Sequence, residues 1–233
     1  IYRIDPIDTV PCIALFQHEY IIKKRLDKYC TTFLDNYQFG ARSGYRTTDA
    51  LAYLYNEAKV TLNTDNNNIL SAIILDVKSA FDLIDHLQLT SALIKAKVPN
   101  SLINIIHSFT SDRQVCFKIN NRIFKKYINN QGGPHGSPLS PLLYLIYSTK
   151  IFNRIRRLGA VSIGYVDDIL IYTKGPKRAN HNKLQIITNR LLPWATANGI
   201  NFDTTHKIQY IHFDGKPFSN NGSNPKLQID NGA

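Results

Sequence analysis

Two neighbouring carboxylates, Asp167 and Asp168, interrupt an otherwise apolar stretch running from Ile163 to Tyr172. The runs on either side are short and β-branched, as buried strands are. On one continuous strand the two acids would point to opposite faces, and one would enter the core at a cost of several kcal/mol. A tight turn at Val166-Asp167-Asp168 avoids this by setting both at a hairpin tip. Two fixed carboxylates there suit a hard cation such as Mg²⁺. A surface turn using Asp for its own hydrogen bonds is the competing reading. A third acid, Asp76, closes the apolar run Ser71-Ala72-Ile73-Ile74-Leu75. It reads either as a site carboxylate or as an N-cap for the turn that follows. Asp82 and Asp85 read as helix-start acids.

Two loops have phosphate-handling chemistry. Gln38 to Ala50 contains Gly40, Arg42, Gly44 and Arg46, and leads into a helix over about 48–62 capped by Thr47 or Thr48. Gln131 to Leu142 carries three Gly and three Pro, with His135 and Gly136 at its centre. Such a loop allows close backbone approach, and the helix N-terminus behind it favours an anion.

These residues need a sheet and helices to hold them. Residues 13–34 pattern as a helix, with Lys23, Lys24, Arg25 and Lys28 either on a solvated face or meeting phosphate. Residues 86–110 pattern as helices broken at Pro99. Gln114–Ile119 and Arg122–Ile128 form a hairpin around Asn120-Asn121. Its Lys118, Arg122, Lys125 and Lys126 either protect an edge or track a phosphate backbone. A helix follows the Pro-rich loop to Gly159. Another covers 179–198, with a kink or break expected at Pro193. Short strands are expected at 200–202 and 208–213, and a possible one at 226–229.

At 233 residues with 43% hydrophobic content, the chain can bury a real core. Its 28 Lys and Arg against 17 Asp and Glu give a net charge of +11, which favours a polyanionic partner. No apolar run reaches the roughly 18 residues needed to span a bilayer, and no membrane partner is expected. Cys12, Cys30 and Cys116 are too scattered for a zinc site, which fits a reduced intracellular setting. The absence of Met is read as the mark of a piece of a longer reading frame.

Taken in order, the Gln38 to Thr48 loop, Leu75-Asp76 to Ala80-Phe81-Asp82, Gly136-Ser137-Pro138-Leu139-Ser140-Pro141, Tyr165-Val166-Asp167-Asp168 and Gly199-Ile200 to Lys207 resemble reverse transcriptases. The likeness is to the non-LTR, long-interspersed-element type of retrotransposon. It implies an α+β fold, a right-hand polymerase with fingers and palm. The antiparallel palm sheet would be backed by helices and the thumb largely missing. Residues 1–213 would hold both parts, with fingers at about 1–70 and 87–130 and palm at about 71–86 and 131–213. Residues 214–233 would be a tail or the start of a thumb connection.

The resemblance also implies the chemistry, an RNA-directed DNA polymerase that adds dNTPs to a DNA primer on an RNA template. Two Mg²⁺ ions, for which Mn²⁺ can substitute, would be held by Asp76, Asp167, Asp168 and the Val77 carbonyl. Phe81 matches an aromatic gate against a ribose 2′-hydroxyl. Arg42 would meet the triphosphate, Gly136 would admit the nucleotide, and Lys207 would stand near the leaving pyrophosphate. His135 stands where the family usually has a nucleotide-contacting Gln, and Val166 where it usually has Ala. Nucleus and cytoplasm are the expected locations. Two alternatives are a degenerate domain that binds nucleic acid without catalysis and a viral RNA-dependent RNA polymerase. The bulk of Phe81 disfavours the second.

Overall fold

The computed structural model describes residues 9–65, 67–111, 114–119, 122–127, 131–204 and 208–215. In chain order the elements are α1 (Thr9–Cys30), α2 (Thr47–Thr64), β1 (Asn68–Asp76), α3 (His86–Lys95), α4 (Asn100–Thr110), β2 (Gln114–Ile119) and β3 (Arg122–Tyr127). They continue with α5 (Ser140–Arg157), β4 (Val161–Tyr165), β5 (Asp168–Pro176), α6 (Lys177–Ala197) and β6 (Gln209–Phe213). They fall into two compact units, one of residues 1–34 and 81–147, the other of residues 35–80 and 148–233.

The second unit holds a four-stranded, wholly antiparallel sheet in the order β4-β5-β1-β6. Strand β1 is central and apolar on both sides, so it needs cover on both. Leu70 and Ala72 join a buried cluster with Leu54 and Ala58 of α2, Phe39, Ile163 and Tyr172. The alternate residue Ser71 takes the other face, where Asn180 of α6 donates to Ser71 Oγ and to the carbonyls of Ile69 and Gly175. One buried amide thereby ties α6 to both central strands.

A polar group sits inside the α2 layer. Glu57 accepts from the Tyr172 hydroxyl at 2.8 Å and pairs with Lys174 at 2.7 Å. Burial pushes the Glu57 carboxyl upward, but these two partners outweigh it and hold the acid below its ordinary value. Tyr172 is pushed well above the usual phenol range, mainly by burial and then by its bonds to Tyr53 and Glu57.

On the opposite face His212 Nδ1 lies 2.8 Å from Ser71 Oγ. Burial and then Lys177 depress its pKa, His181 adds to the effect, and Asp214 opposes it. Because the unfolded chain takes up this proton more readily, stability is full above the ordinary histidine value of about 6.5 and falls as pH drops below it. Urea midpoints measured from pH 8 to 5 should show that decline, and His212→Gln should make it shallower. Parallel curves for the two proteins would remove His212 as its source.

The first unit contains α1, α3, α4, the β2-β3 hairpin, the Pro-rich loop and the start of α5. Asp85 caps α3 by accepting from Gln88 N at 2.8 Å, as its helix-start placement predicts. Asp82 does not start a helix. It lies in a turn and pairs with His135. The break at Pro99 is present, with Pro99 as the N-cap of α4. The hairpin backbone forms as expected, while the side chains of Lys118, Arg122, Lys125 and Lys126 lie outside the described atoms.

Other local expectations shift. Helix α2 is capped not by Thr47 or Thr48 but at Arg46, whose N–H donates to the Asp49 carboxylate three residues on at 2.7 Å. Asp49 at the third helical position reaches back to the cap residue's own N–H, the half of a capping box that an N3 acid supplies. Helix α6 continues through Pro193 to Ala197, since a proline near the last turn removes one bond without ending the helix. The 200–202 segment makes a single bridge, Phe202 to Val77, rather than a strand. Residues 226–229 lie outside the described residues.

Candidate active site

In the second unit the ladder sets Asp76 directly opposite Asp168, the last residue of β1 against the first of β5. Residues paired this way share a sheet face, with Cβ atoms about 4.5–5.5 Å apart. Tyr165 is also opposite Asp168, so the β4-β5 connection is the two residues Val166 and Asp167. The turn is thus one residue tighter than the sequence implied. Asp167 is at its tip and Asp168 is already in the strand.

Val166 has φ of 59°. This left-handed conformation is poorly suited to a β-branched residue and costs of order 1–3 kcal/mol. No helix starts at Asp76: turn residues follow it, and the next helix, α3, is capped by Asp85. Instead the Asp76 carbonyl accepts from Asp203 N at 2.8 Å, and Lys78 N donates to the Asn201 carbonyl at 2.7 Å. Lys78 Nζ reaches Asp203 Oδ1 at 3.8 Å. The 200–203 segment therefore clamps the strand end that carries Asp76 and Val77.

A second support was not legible as such. Gln38 forms a parallel bridge to Gly164, with Phe39 N donating to the Gly164 carbonyl at 2.8 Å and Gly164 N to the Tyr37 carbonyl at 2.9 Å. The Gln38 side chain is 1% exposed and its Nε2 donates to the Val166 carbonyl at 3.3 Å. Gly40 packs against the turn itself. A Cβ there would stand 2.3 Å from Val166 N and 2.7 Å from Val166 Cγ2. The loop read as a triphosphate holder is, at its first three residues, a buttress under the Asp167 turn.

Asp35, almost buried, anchors the start of that loop through an ion pair with Arg156 of α5. Arg42 Nη1 donates to the Asp35 carbonyl at 2.8 Å and the Gln38 carbonyl at 3.2 Å, and the guanidinium lies 4.3 Å over the Tyr45 ring. The only sequence signal for this arrangement was the Gln38-Phe39-Gly40 motif. Lys207 lies outside the described residues.

In the first unit Phe81 packs edge-on to His135 and tilted against Tyr144, with centroids 6.3 and 5.6 Å away. His135 Nε2 is 2.5 Å from Asp82 Oδ1, and both side chains are largely exposed. Gly136 takes φ of +81°, which favours glycine, and opens onto free space on the side a Cβ would occupy.

The donor chemistry fits a hard divalent cation. Two carboxylates are opposed across a ladder, where like charges repel, with a third on the adjoining turn residue. Among the described residues, however, no three His, Cys, Asp or Glu side chains are gathered into a ready-made metal cluster.

The family model described as reverse transcriptase (RNA-dependent DNA polymerase) matches residues 9–224. The chain belongs to the reverse transcriptase family. Curated relatives of this reverse transcriptase domain include the probable RNA-directed DNA polymerase from transposon BS of Drosophila melanogaster, 26% identical over 76% of this chain and 20% of the relative. The polymerase of the Drosophila melanogaster X-element is 29% identical over 61% of this chain and 16% of the relative. That of mobile element jockey of Drosophila funebris is 28% identical over 72% and 19%. These are polymerases of non-LTR elements, the type the motif order resembles. The chain spans about a fifth of the length of the relatives it matches.

Among solved structures, the telomerase of Candida albicans in complex with a telomeric RNA fragment superposes with a TM-score of 0.63 at 13% identity, over 85% of this chain and 35% of that one. An apo telomerase of Candida tropicalis gives 0.59 at 16% identity, over 93% and 42%. The fold is that of polymerase fingers and palm, α+β, with the antiparallel sheet expected from the sequence.

Proposed function

We propose that this chain copies RNA into DNA, joining dNTPs to a primer 3′-hydroxyl as the catalytic part of a non-LTR retrotransposon polymerase. The observation that carries the reading is the Asp76–Asp168 register pair beside the Val166-Asp167 turn, within a family match that covers most of the chain. Asp76, Asp167 and Asp168, with the Val77 carbonyl, would hold Mg²⁺ or Mn²⁺. Bound there, such ions neutralise charge on the reacting phosphate and activate the attacking hydroxyl. The chain's own contribution is placement. The 200–203 clamp and the 38–40 buttress fix the two carboxylate-bearing segments from opposite edges, with most of the rate enhancement in such transfers coming from positioning and electrostatics.

For the nucleotide we assign Phe81 to the sugar, His135 and Gly136 to its approach, Arg42 to the triphosphate through the N–H groups its loop bonds leave over, and Lys207 to the pyrophosphate. RNA template and DNA primer are the polyanions that the net charge of +11 favours.

Primer extension on an RNA template, with dNTPs against NTPs, tests the reading. The chain should be assayed alone and extended at its C-terminal side with the matching segment of a curated relative. Extension with dNTPs is expected. Hybrid binding without extension would mark a non-catalytic remnant, and preference for NTPs an RNA polymerase.

Metal binding has a separate readout. At 100 times the dissociation constant, Mn²⁺ should stabilise the parent by about 2.7 kcal/mol. Asp76→Asn should gain much less, while its metal-free form should be as stable as the parent or more so by about 1 kcal/mol, because the opposed charges are relieved. Equal metal-induced shifts in thermal melts of parent, Asp76→Asn and Asp76→Ala would remove Asp76 from the ligand set.

A further inference from the structure

Away from these carboxylates, the first unit has a cleft of about 220 Å³ between the end of α1 and the start of α4. Arg25 and Lys28 line it from α1, three residues apart and so on one face. Neither makes an ion pair among the described residues, whereas their neighbour Lys23 is taken up by Asp27 at 3.5 Å. Tyr29 adds an aromatic ring, and Pro99, Leu102 and Ile105 give the cleft an apolar floor. Ser101 brings a hydroxyl in the first turn of α4, whose positive end carries no acidic residue and no side-chain cap.

We infer that this cleft binds one nucleotide of a single-stranded polynucleotide, with the backbone phosphate on Arg25 and Lys28 and the base against Tyr29 and the apolar floor. Three features decide the class. The cleft, about 220 Å³, is larger than the roughly 150 Å³ that accommodates a benzene ring, so it takes a ring system. Cations beside an aromatic ring and apolar carbons match a phosphate joined to a flat heterocycle, not a free phosphate, which would leave the ring and floor unused. A duplex is also a poor match, since its bases stay stacked on one another, whereas a single strand can turn one out.

The inference deepens the template-copying reading only in naming the source of the strand, since a polymerase handles template that is not yet paired. Its test is binding and needs no catalysis.

The probe is a short fluorescent oligouridine, as RNA and as the deoxy form, titrated with the 233-residue chain and followed by anisotropy at several salt concentrations. A primer–template hybrid is titrated in parallel. Arg25→Ala and Lys28→Ala should each weaken single-strand binding and flatten the plot of log affinity against log salt by about one. Tyr29→Leu should weaken it roughly tenfold with the salt slope unchanged, the mark of lost stacking. Lys59→Ala, the same charge change on α2, serves as the control, and thermal melts establish that each variant is folded.

A Tyr29→Leu protein that melts like the parent and binds oligouridine equally well would overturn the inference, as would Arg25→Ala and Lys28→Ala effects no larger than that of Lys59→Ala. Displacement of the RNA by inorganic phosphate at constant ionic strength would also overturn it, since the cleft would then be a phosphate site. Equal loss for the RNA and deoxy strands supports a site that reads phosphate and base, and greater loss for RNA supports an additional 2′-hydroxyl contact. Hybrid binding with no single-strand binding refutes the cleft alone, whereas failure to bind the hybrid counts against the polymerase reading itself.

Discussion

Gly40→Ala is expected to lower primer extension by on the order of 100-fold, the usual effect of moving reacting groups by about an ångström. The added methyl would stand 2.3 Å from Val166 N, a backbone atom of the turn that carries Asp167. It cannot be accommodated by rotating a side chain, so either the buttress or the turn must move. The stability cost should be that of a small overpacking, about 1–3 kcal/mol. Gly44→Ala is the matched control. Gly44 sits at φ of +82° with nothing within 4 Å of the missing Cβ, so Ala there strains the backbone, by about 1–2 kcal/mol, without touching the turn. Urea unfolding and single-turnover extension on both proteins separate the two effects. Equal activity in the two variants, at similar stability, would reduce the 38–40 segment to ordinary scaffolding.

Phe81→Val should allow ribonucleotides to be incorporated far better while dNTP use is largely kept. A single steric contact can supply a few kcal/mol of discrimination, so selectivity should fall by one to two orders of magnitude. The ring is held between His135 and Tyr144, which limits its freedom to move away from a 2′-hydroxyl. Tyr144 is buried in α5, so the Phe81 ring rests on a fixed surface. Single-nucleotide kinetics with paired dNTP and rNTP substrates measure the ratio directly. An unchanged ratio would take Phe81 out of sugar selection. Asp82→Asn is the companion change, because it weakens the partner of His135 without altering the Phe81 ring.

The carboxylate arrangement was legible because each part carries a local signal. A buried strand ending in Asp76 and an apolar hairpin broken by Asp167-Asp168 are both visible as departures from period and polarity. The register that sets Asp76 against Asp168 follows once both strands must bury their apolar residues. The supports were not legible for the opposite reason. The bridge from Gln38 to Gly164 is one residue long and joins segments far apart in sequence, so no periodicity announces it. The type of Arg42 and its glycine-containing loop point to a phosphate, and say nothing of its structural bonds. The carbonyls of Asp35 and Gln38 that it bonds are invisible to side-chain chemistry. Arg46 at the cap of α2 carries no cap signature of its own, because the acceptor belongs to Asp49, three residues on. Likewise the pairing of Asp82 with His135 depends on the Pro-rich loop returning to the turn after β1, a tertiary event with no local mark.

The central strand has one more consequence. Both neighbours of β1, namely β5 and β6, lie far downstream in the chain. As the polypeptide leaves the ribosome, β1 emerges with two unsatisfied edges and a sequence apolar on both faces, and it must wait through α3, α4, the hairpin, α5 and β4 before its first partner exists. Such long-range pairing is slow and exposes the strand to association with other chains. Pulse proteolysis of nascent chains should therefore show β1 protected only after β5 has been released. Chains halted between the two should be the species most bound by chaperones.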